Sequence, residues 1–166
     1  QLFCDITSGL ARAHAAHGSR LTSLAVDTWG VDYGLVDRRG RLLGLPWMYR
    51  DGRTDGMIEA ATKVLPREDL YRRTGIQFMP FNTLFQLLAE KRDSPEALAA
   101  ADELLFMPDL LTYWLSGERM QERTIASTSQ LLKVGSAEWD LDLIEKMGLP
   151  PGIFRPTSEP GTLVGR

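Results

Sequence analysis

The 166-residue sequence has few of the features that mark secreted, membrane or nucleic-acid-binding proteins. Its single cysteine, Cys4, excludes an intrachain disulfide and fits a reducing compartment, so we expect a cytoplasmic protein. No apolar run approaches the roughly 18 residues of a membrane-spanning helix, and the first residues carry Asp5 rather than the basic stretch of a signal peptide. The 19 basic and 22 acidic residues give a net charge of −3, which argues against nucleic acid or an anionic membrane as a partner.

The sequence also lacks the common catalytic and cofactor motifs. It has no Walker-type glycine-rich loop, no G-x-G-x-x-G turn and no paired Cys/His metal set. The two histidines, His14 and His17, have no third histidine or clustered carboxylate near them, so we predict no metal site. Both lie far in sequence from any candidate nucleophile, which disfavours a Ser–His–Asp or Cys–His arrangement.

The most informative stretch covers residues 23–37. The apolar run Leu24–Val26 predicts a buried strand that ends in a polar, glycine-containing turn. The alternation of apolar residues over 31–36 predicts a second strand. A turn at 38–40 then leads into a third strand that starts at Arg41. The stretch therefore predicts a hairpin that is entered from a buried strand.

A polar cluster follows the first of these strands, at Asp27, Thr28, Trp29 and Gly30. Ligands of open α/β sheets gather at the carboxyl ends of strands, which makes this cluster a candidate site. Gly30 would let a ligand approach the backbone closely. The alternative is an ordinary turn with Trp29 in the core.

The rest of the chain is mainly helical. Phe3, Ile6, Leu10 and Ala13 recur at helical spacing and predict an amphipathic helix over 2–17. Capping residues, prolines and glycines predict further helices over 54–65, 66–75, 83–91, 96–103, 108–116, 121–132 and 141–147. The apolar run 104–107 is either a strand or a buried connector. Helix, strand and hairpin in this order predict an α/β layer fold.

A second polar cluster contains Tyr49, Arg50, Asp51 and Arg53. These side chains could bind a polyol or a phosphate. They could equally be a helix cap with a surface ion pair, which contributes little to stability when it is exposed. Spacing alone leaves both interpretations open.

Four blocks, in the same order along the chain, resemble the FGGY family of carbohydrate kinases. They are residues 25–40, 44–54, 74–84, and 107–117 followed by 124–131. The resemblance implies a ribonuclease H-like α/β fold of the actin, hexokinase and sugar kinase type, with a helical insertion. It also implies phosphoryl transfer from ATP, with Mg²⁺, to a sugar hydroxyl.

The Asp27-Thr28-Trp29-Gly30 version of the first block resembles family members that phosphorylate L-rhamnulose to L-rhamnulose 1-phosphate in rhamnose catabolism. Two alternatives stay open at this point. One is another ketose or polyol kinase of the family, acting on fuculose or xylulose. The other is a module that binds sugar or assembles without chemistry.

The same resemblance implies a set of substrate-binding residues. They are Asp27, Thr28, Trp29, Gly30, Arg53, Asn82 and Tyr113. Gly30 falls where the family touches its sugar, with the three preceding residues beside it. The alternatives are a helix cap for Asn82 and core packing for Tyr113.

We expect residues 1–166 to be part of the family's N-terminal domain. The resemblance implies that the phosphate loop precedes residue 1, and that the catalytic Asp and the adenosine-binding second domain follow residue 166. Asp27-Thr28 imitates the catalytic motif but stands at the wrong place in family order, so we assign no catalytic or metal-binding residue. This segment alone is expected to be inactive, and an open sheet edge would invite self-association.

Overall fold

The computed structural model describes residues 1–165. Its helices are α1 Leu2–His17, α2 Met57–Val64, α3 Arg67–Thr74, α4 Thr83–Asp93, α5 Pro95–Ala100, α6 Met107–Ser116, α7 Arg123–Ala126 and α8 Leu141–Lys146. Its strands are β1 Tyr33–Val36 and β2 Glu103–Phe106. Short 3₁₀ turns cover Gly18–Arg20, Gly52–Thr54, Ser127–Ser129 and Pro151–Ile153. None of the helices within 1–165 has the length and hydropathy of a membrane span.

The two strands form an antiparallel pair in which Tyr33 lies opposite Phe106 and Val36 lies opposite Glu103. Every residue of both strands is buried. The predicted hairpin does form, but its third strand is reduced to a single bridge between Val36 and Leu42. The pair is covered on both faces because helices pack on each side of it.

Alternate residues of the pair enter two separate apolar clusters, as the period of a strand requires. The larger cluster takes Tyr33, Leu35, Leu104 and Phe106, whereas the smaller takes Val36 and Leu105 together with residues of α6. Gly34 lies on the α6 side, where a Cβ would come within 2.7 Å of Leu42 and 2.9 Å of Leu110. A side chain at Gly34 would therefore push α6 away from the sheet.

The predicted strand at Leu24–Val26 is absent, and this prediction was wrong. Leu24 is 58% exposed, and no strand assignment falls within residues 21–32. A strand exists only where its backbone groups meet a neighbour, and no strand within residues 1–165 lies beside this segment. The neighbouring strand that would bury this segment could not be inferred from its apolar pattern.

The helix predictions are largely confirmed. The α1 face formed by Phe3, Ile6, Leu10 and Ala13 is the covered one, and Phe3 packs edge-on against Trp114 at 5.4 Å. The helix predicted over 54–65 begins later, at Met57, because Gly56 adopts a left-handed conformation. The helix predicted within 121–132 is only the four residues of α7 followed by a 3₁₀ turn.

Asp140 connects α8 to α3. Its carboxylate caps α8 by accepting a hydrogen bond from the N–H of Leu143 at 3.1 Å, and it also accepts one from the Nε of Arg73 at 2.7 Å. Burial alone would raise the pKa of Asp140, but the hydrogen bonds from Arg73 and Leu143 hold that pKa below its ordinary value. Asp140 therefore stays ionised at neutral pH.

We predict that Asp140→Ala lowers the free energy of unfolding by about 2 kcal/mol, because the variant loses both a helix cap and a paired carboxylate. The matched control is Asp142→Ala, since Asp142 also contacts Arg73 but is 59% exposed. That control should change stability by less than about 0.5 kcal/mol. Urea unfolding of both variants measures the difference, and equal losses would contradict the prediction.

Candidate functional site

The turn between residue 28 and β1 contains a strained backbone. Val31 has a φ of 69°, which is rare for a β-branched residue and costs roughly 1–3 kcal/mol. Its N–H donates to Thr128 Oγ1 at 3.1 Å, and its carbonyl accepts from Thr83 Oγ1 at 2.8 Å and Gln86 Nε2 at 3.3 Å. Three side chains from distant segments thus hold this conformation, and such over-determined strain is typical of ligand sites.

Asp32, the next residue, is 2% exposed and organises the same turn. Its carboxylate accepts hydrogen bonds from the indole N–H of Trp29 at 2.7 Å, from the backbone N–H of Tyr49 at 3.2 Å and from Gln86 Nε2 at 3.1 Å. These bonds fix the indole of Trp29 and bring the segment around Tyr49 to the turn.

Helix α4 supplies the inner side of this arrangement. Thr83, Gln86 and Glu90 recur at helical spacing and form a buried polar stripe on a helix whose other buried residues are apolar. Arg53 reaches the stripe from outside α4 and donates to Glu90 at 2.8 Å and to Gln86 Oε1 at 3.1 Å. A buried ion pair is therefore connected through Gln86 to the strained turn.

Tyr33 lies beside this ion pair. Burial raises the pKa of its phenol, although the nearby Arg53 guanidinium acts in the opposite direction. The Tyr33 hydroxyl is buried and has no hydrogen-bond partner within residues 1–165. The phenol is therefore neutral at physiological pH and takes no part in charge balance.

A cavity of about 330 Å³ opens at the strained turn, within the size range of small-molecule sites. It is lined by Trp29, Gly30, Val31, Tyr49, Phe81, Asn82 and Thr128. Tyr49 packs edge-on against Phe81 at 5.7 Å, and Trp29 remains 45% exposed. Three aromatic residues thus line the cavity.

Asn82 closes the cavity at the start of α4. Its Nδ2 donates to the carbonyl of Gln77 and to Gln130 Oε1, each at 2.8 Å. It occupies the N-cap position of α4, but its side chain makes no capping hydrogen bond. Gln130 is the second non-glycine residue with positive φ, at 64°. Both non-glycine residues with positive φ are thus connected to this cavity, Val31 in its lining and Gln130 through Asn82.

The structure brings together part of the set predicted from sequence. Trp29, Gly30 and Asn82 line the cavity, and Arg53 connects to it through Gln86. Asp27 is exposed just before the cavity, where the Thr28 hydroxyl donates to the carbonyl of Trp29. Contact of these residues with a sugar stays a prediction.

Tyr113 lies elsewhere in the fold. Its hydroxyl donates to the carbonyl of Gly40 at 3.3 Å, and its ring packs against the smaller apolar cluster. It does not line the cavity. Tyr113 therefore lies where the core-packing alternative places it. A substrate role for Tyr113 is supported only by the sequence motif.

Sequence reasoning missed Phe81 and Thr128 as lining residues and did not assign Tyr49 to this site. Phe81 directly precedes Asn82, so its closeness to the candidate site could have been inferred from its place in the sequence. Thr128 Oγ1 accepts the N–H of Val31 across 97 positions, which no local pattern reveals. The polar stripe on α4 was a readable signal, because polar residues at helical spacing among buried apolar residues need buried partners.

A larger cavity, of about 500 Å³, lies between the turn at 37–39 and residues 98–102. None of the residues predicted to bind substrate lines it. The strained backbone and the buried polar network both belong to the smaller cavity. We therefore place the candidate site at the smaller cavity rather than the larger one.

Asp109, near the start of α6, is a buried titratable group outside the cavity. Burial raises its pKa from 3.8 to about 8, although the backbone N–H of Glu122 lies 3.3 Å from its carboxylate. Between these pH values the folded state holds a proton that the unfolded state releases. The contribution of Asp109 to the free energy of unfolding is therefore fully present below pH 3.8 and is lost as the pH rises to about 8.

We predict that Asp109→Asn removes this pH dependence. Relative to the variant, the parent protein should lose more than about 1 kcal/mol between pH 5 and pH 8, because one pKa unit corresponds to about 1.4 kcal/mol. Urea unfolding of both proteins across that range measures the difference. A constant difference between the two curves would show that Asp109 titrates as in the unfolded chain.

Within residues 1–165, no group of three or more His, Cys, Asp or Glu side chains is placed to hold a metal ion. The acidic residues of the candidate site, Asp32 and Glu90, are separately engaged by Trp29, Gln86 and Arg53. These residues do not fit a magnesium ion, so we assign none of them to Mg²⁺.

Comparison with solved structures supports the predicted fold. The chain superposes on the xylulose kinase from Rhodospirillum rubrum with a TM-score of 0.80 and 22% identity, covering 90% of this chain and 32% of that one. It superposes on the Plasmodium falciparum glycerol kinase with ADP with a TM-score of 0.66 and 18% identity, covering 95% and 32%. The predicted actin, hexokinase and sugar kinase type of fold is confirmed.

The chain is also similar to curated proteins named rhamnulokinase. It is 43% identical over 161 residues to that of Yersinia pestis strain Pestoides F, and 45% identical over 161 residues to that of Pectobacterium atrosepticum. These matches cover 97% of this chain but only 33% and 32% of the relatives, so the chain spans about a third of their length. The model of the N-terminal domain of the FGGY family of carbohydrate kinases matches residues 1–166. The chain therefore belongs to the FGGY family of carbohydrate kinases.

Proposed function

We propose that the full-length protein transfers the terminal phosphoryl group of ATP to L-rhamnulose, giving L-rhamnulose 1-phosphate. The cavity at Trp29 and Gly30 carries the proposal, because it forms at the motif where the family resemblance places the sugar. The relatives named rhamnulokinase, at 43–45% identity, support this sugar over others. Within the whole enzyme, residues 1–166 would supply one wall of the sugar site.

The contribution of this chain is to bind and orient the sugar. Phosphoryl transfer depends mostly on positioning and electrostatic stabilisation, because the protein has little covalent chemistry to perform. ATP supplies the phosphoryl group, with Mg²⁺ neutralising its charge. The buried network from Arg53 to Asp32 holds the Trp29 wall in one orientation, so the sugar meets a preorganised surface.

Within the proposal, the site residues have different roles. Trp29, Gly30 and Asn82 contact the sugar directly, since they line the cavity. Arg53 supports the site indirectly, through its hydrogen bond to Gln86. Asp27 and Thr28 lie at the entrance. The phosphate loop, the catalytic Asp and the adenosine site are assigned to the rest of the enzyme.

A sugar panel on the full-length enzyme tests the substrate. ATP-dependent phosphorylation is measured with L-rhamnulose, L-fuculose and D-xylulose, and kcat/KM is compared. We expect the highest value for L-rhamnulose. A higher value for fuculose or xylulose would favour another ketose kinase of the family, and no phosphorylation of any sugar would refute kinase function. Residues 1–166 alone should give no product.

Two further parts of the proposal concern the surroundings of the protein. We place the enzyme in the cytoplasm, and the single, exposed cysteine of residues 1–166 supports this because no disulfide can form within this segment. Self-association through an open sheet edge stays a prediction. Light scattering over a range of concentrations tests it, and a constant monomer mass would count against it.

A further inference from the structure

The chain segment that carries Trp29 and Gly30 to the cavity is closed by a backbone hydrogen bond. The N–H of Asp32 donates to the carbonyl of Gly30 at 2.9 Å, and Val31 between them has a φ of 69°. A three-residue turn with a positive φ at its centre is the strained form of the γ-turn, whereas the common inverse form has a φ of about −75°. Because valine avoids positive φ, this γ-turn needs contacts from other segments to keep its form.

Two threonine hydroxyls hold the backbone of Val31. Thr128 Oγ1 accepts its N–H at 3.1 Å, and Thr83 Oγ1 donates to its carbonyl at 2.8 Å. Gln86 Nε2 lies farther from the same carbonyl, at 3.3 Å. The hydroxyl of Thr83 is therefore the nearer of the two donors that hold the carbonyl of Val31.

Thr83 is separated from the cavity by the γ-turn. It is fully buried and does not line the cavity, whereas Val31 does. Thr83 begins α4, whose buried apolar residues belong to the larger apolar cluster, so its position is fixed by the core. The hydroxyl of Thr83 can therefore affect a bound ligand only through Val31.

The γ-turn determines where the indole of Trp29 lies. Trp29 and Asp32 stand on either side of Val31, and the indole N–H donates to the Asp32 carboxylate at 2.7 Å. Relaxation of Val31 to a negative φ would redirect the chain between them and break this bond. Trp29 and Gly30 would then leave the positions that they hold in the cavity lining.

Resting on the proposed function, we infer that Thr83 is a positioning residue for the sugar. Its hydroxyl holds Val31 in the strained γ-turn, which presents Trp29 and Gly30 to the substrate. One hydrogen bond within a protein shifts an equilibrium by roughly 2- to 10-fold. Loss of the Thr83 hydroxyl should raise KM for L-rhamnulose by about 5- to 10-fold. The values of kcat and of KM for ATP should change by less than about 2-fold, because the sugar contacts persist from the ground state to the transition state.

The test measures the steady-state kinetics of the full-length enzyme and its Thr83→Val and Thr83→Ser variants. Valine has nearly the shape of threonine but no hydroxyl, whereas serine keeps the donor and should keep KM within about 2-fold of the parent. Thr74→Val is the control, because Thr74 is also buried and its hydroxyl donates to the carbonyl of Leu70, away from the cavity. Thr128→Val, which removes the acceptor for the N–H of Val31, is a second variant in case Thr83→Val does not fold.

Val31→Gly distinguishes positioning from a general effect on packing. Glycine adopts positive φ freely, so the γ-turn should keep its form without a threonine hydroxyl. In the Val31→Gly background, the same threonine variant should raise KM by less than about 2-fold. A threonine that only stabilises its own helix would raise KM equally in both backgrounds.

A raised KM in Thr83→Val, with parental values in Thr83→Ser and Thr74→Val and rescue by Val31→Gly, supports the inference. A parental KM in Thr83→Val, an equal rise in Thr83→Ser or Thr74→Val, or an equal rise in both backgrounds overturns the inference and leaves the kinase function standing. If Thr83→Val does not fold, the KM of Thr128→Val in the two backgrounds decides in the same way. Phosphorylation of no sugar by the parent refutes the proposed function, and the inference fails with it.

Discussion

Replacing Gly30 by arginine should reduce sugar phosphorylation by the full-length enzyme about 100-fold or more. A Cβ at this position already lies 3.1 Å from both Cγ2 and Oγ1 of Thr128, and a long side chain would fill the cavity beyond it. Displacement of Thr128 would also remove the acceptor for the N–H of Val31. The steady-state rate with L-rhamnulose and ATP measures the effect.

Gly44→Arg is the matched control. It introduces the same side chain 14 positions later, and a Cβ at Gly44 meets nothing within 4 Å. Its kcat/KM should stay within about 2-fold of the parent, as for an exposed substitution away from special features. If both variants kept parental activity, the sugar would have to bind elsewhere.

The second large effect is expected for Arg53→Met, which should lower the free energy of unfolding by about 3–5 kcal/mol. The side chains of Arg53 and Glu90 are only 8% and 10% exposed. Removal of the guanidinium leaves the Glu90 carboxylate buried without a cation and leaves Gln86 Oε1 without its donor. Urea unfolding of parent and variant measures the loss.

Arg72→Met controls for loss of an arginine as such. Arg72 pairs with Glu68 and Asp69, but its side chain is 66% exposed, so its loss should change stability by less than about 1 kcal/mol. The double variant Arg53→Met with Glu90→Met should recover part of the stability, because it removes the stranded charge. Equal losses for Arg53→Met and Arg72→Met would show that the Arg53–Glu90 pair is solvated.

Local structure was predictable wherever the signal was local. The apolar spacing of Phe3, Ile6 and Leu10 identified the covered face of α1, and glycines at 75 and 117 end α3 and α6 in left-handed conformations as expected. Local spacing could not decide whether Leu24–Val26 forms a strand. Whether an apolar extended segment is buried depends on a neighbour, and the segment itself carries no information about one.

The candidate site was predictable in part, for the same reason. The motif pointed to Trp29, Gly30 and Asn82, which do meet at one cavity. The positive φ of Val31 could not be foreseen, because a β-branched residue avoids that conformation unless tertiary hydrogen bonds impose it. Thr128 supplies one of those bonds from a distant segment.

Calorimetric titration of L-rhamnulose, without ATP, into the full-length enzyme and its Gly30→Arg variant measures binding separately from catalysis. If the sugar binds at the cavity beside Trp29, the parent and Gly44→Arg will give saturable heat, whereas Gly30→Arg will give none while still unfolding cooperatively in urea. Parental affinity in a folded Gly30→Arg protein would contradict the assignment of the sugar site to this cavity.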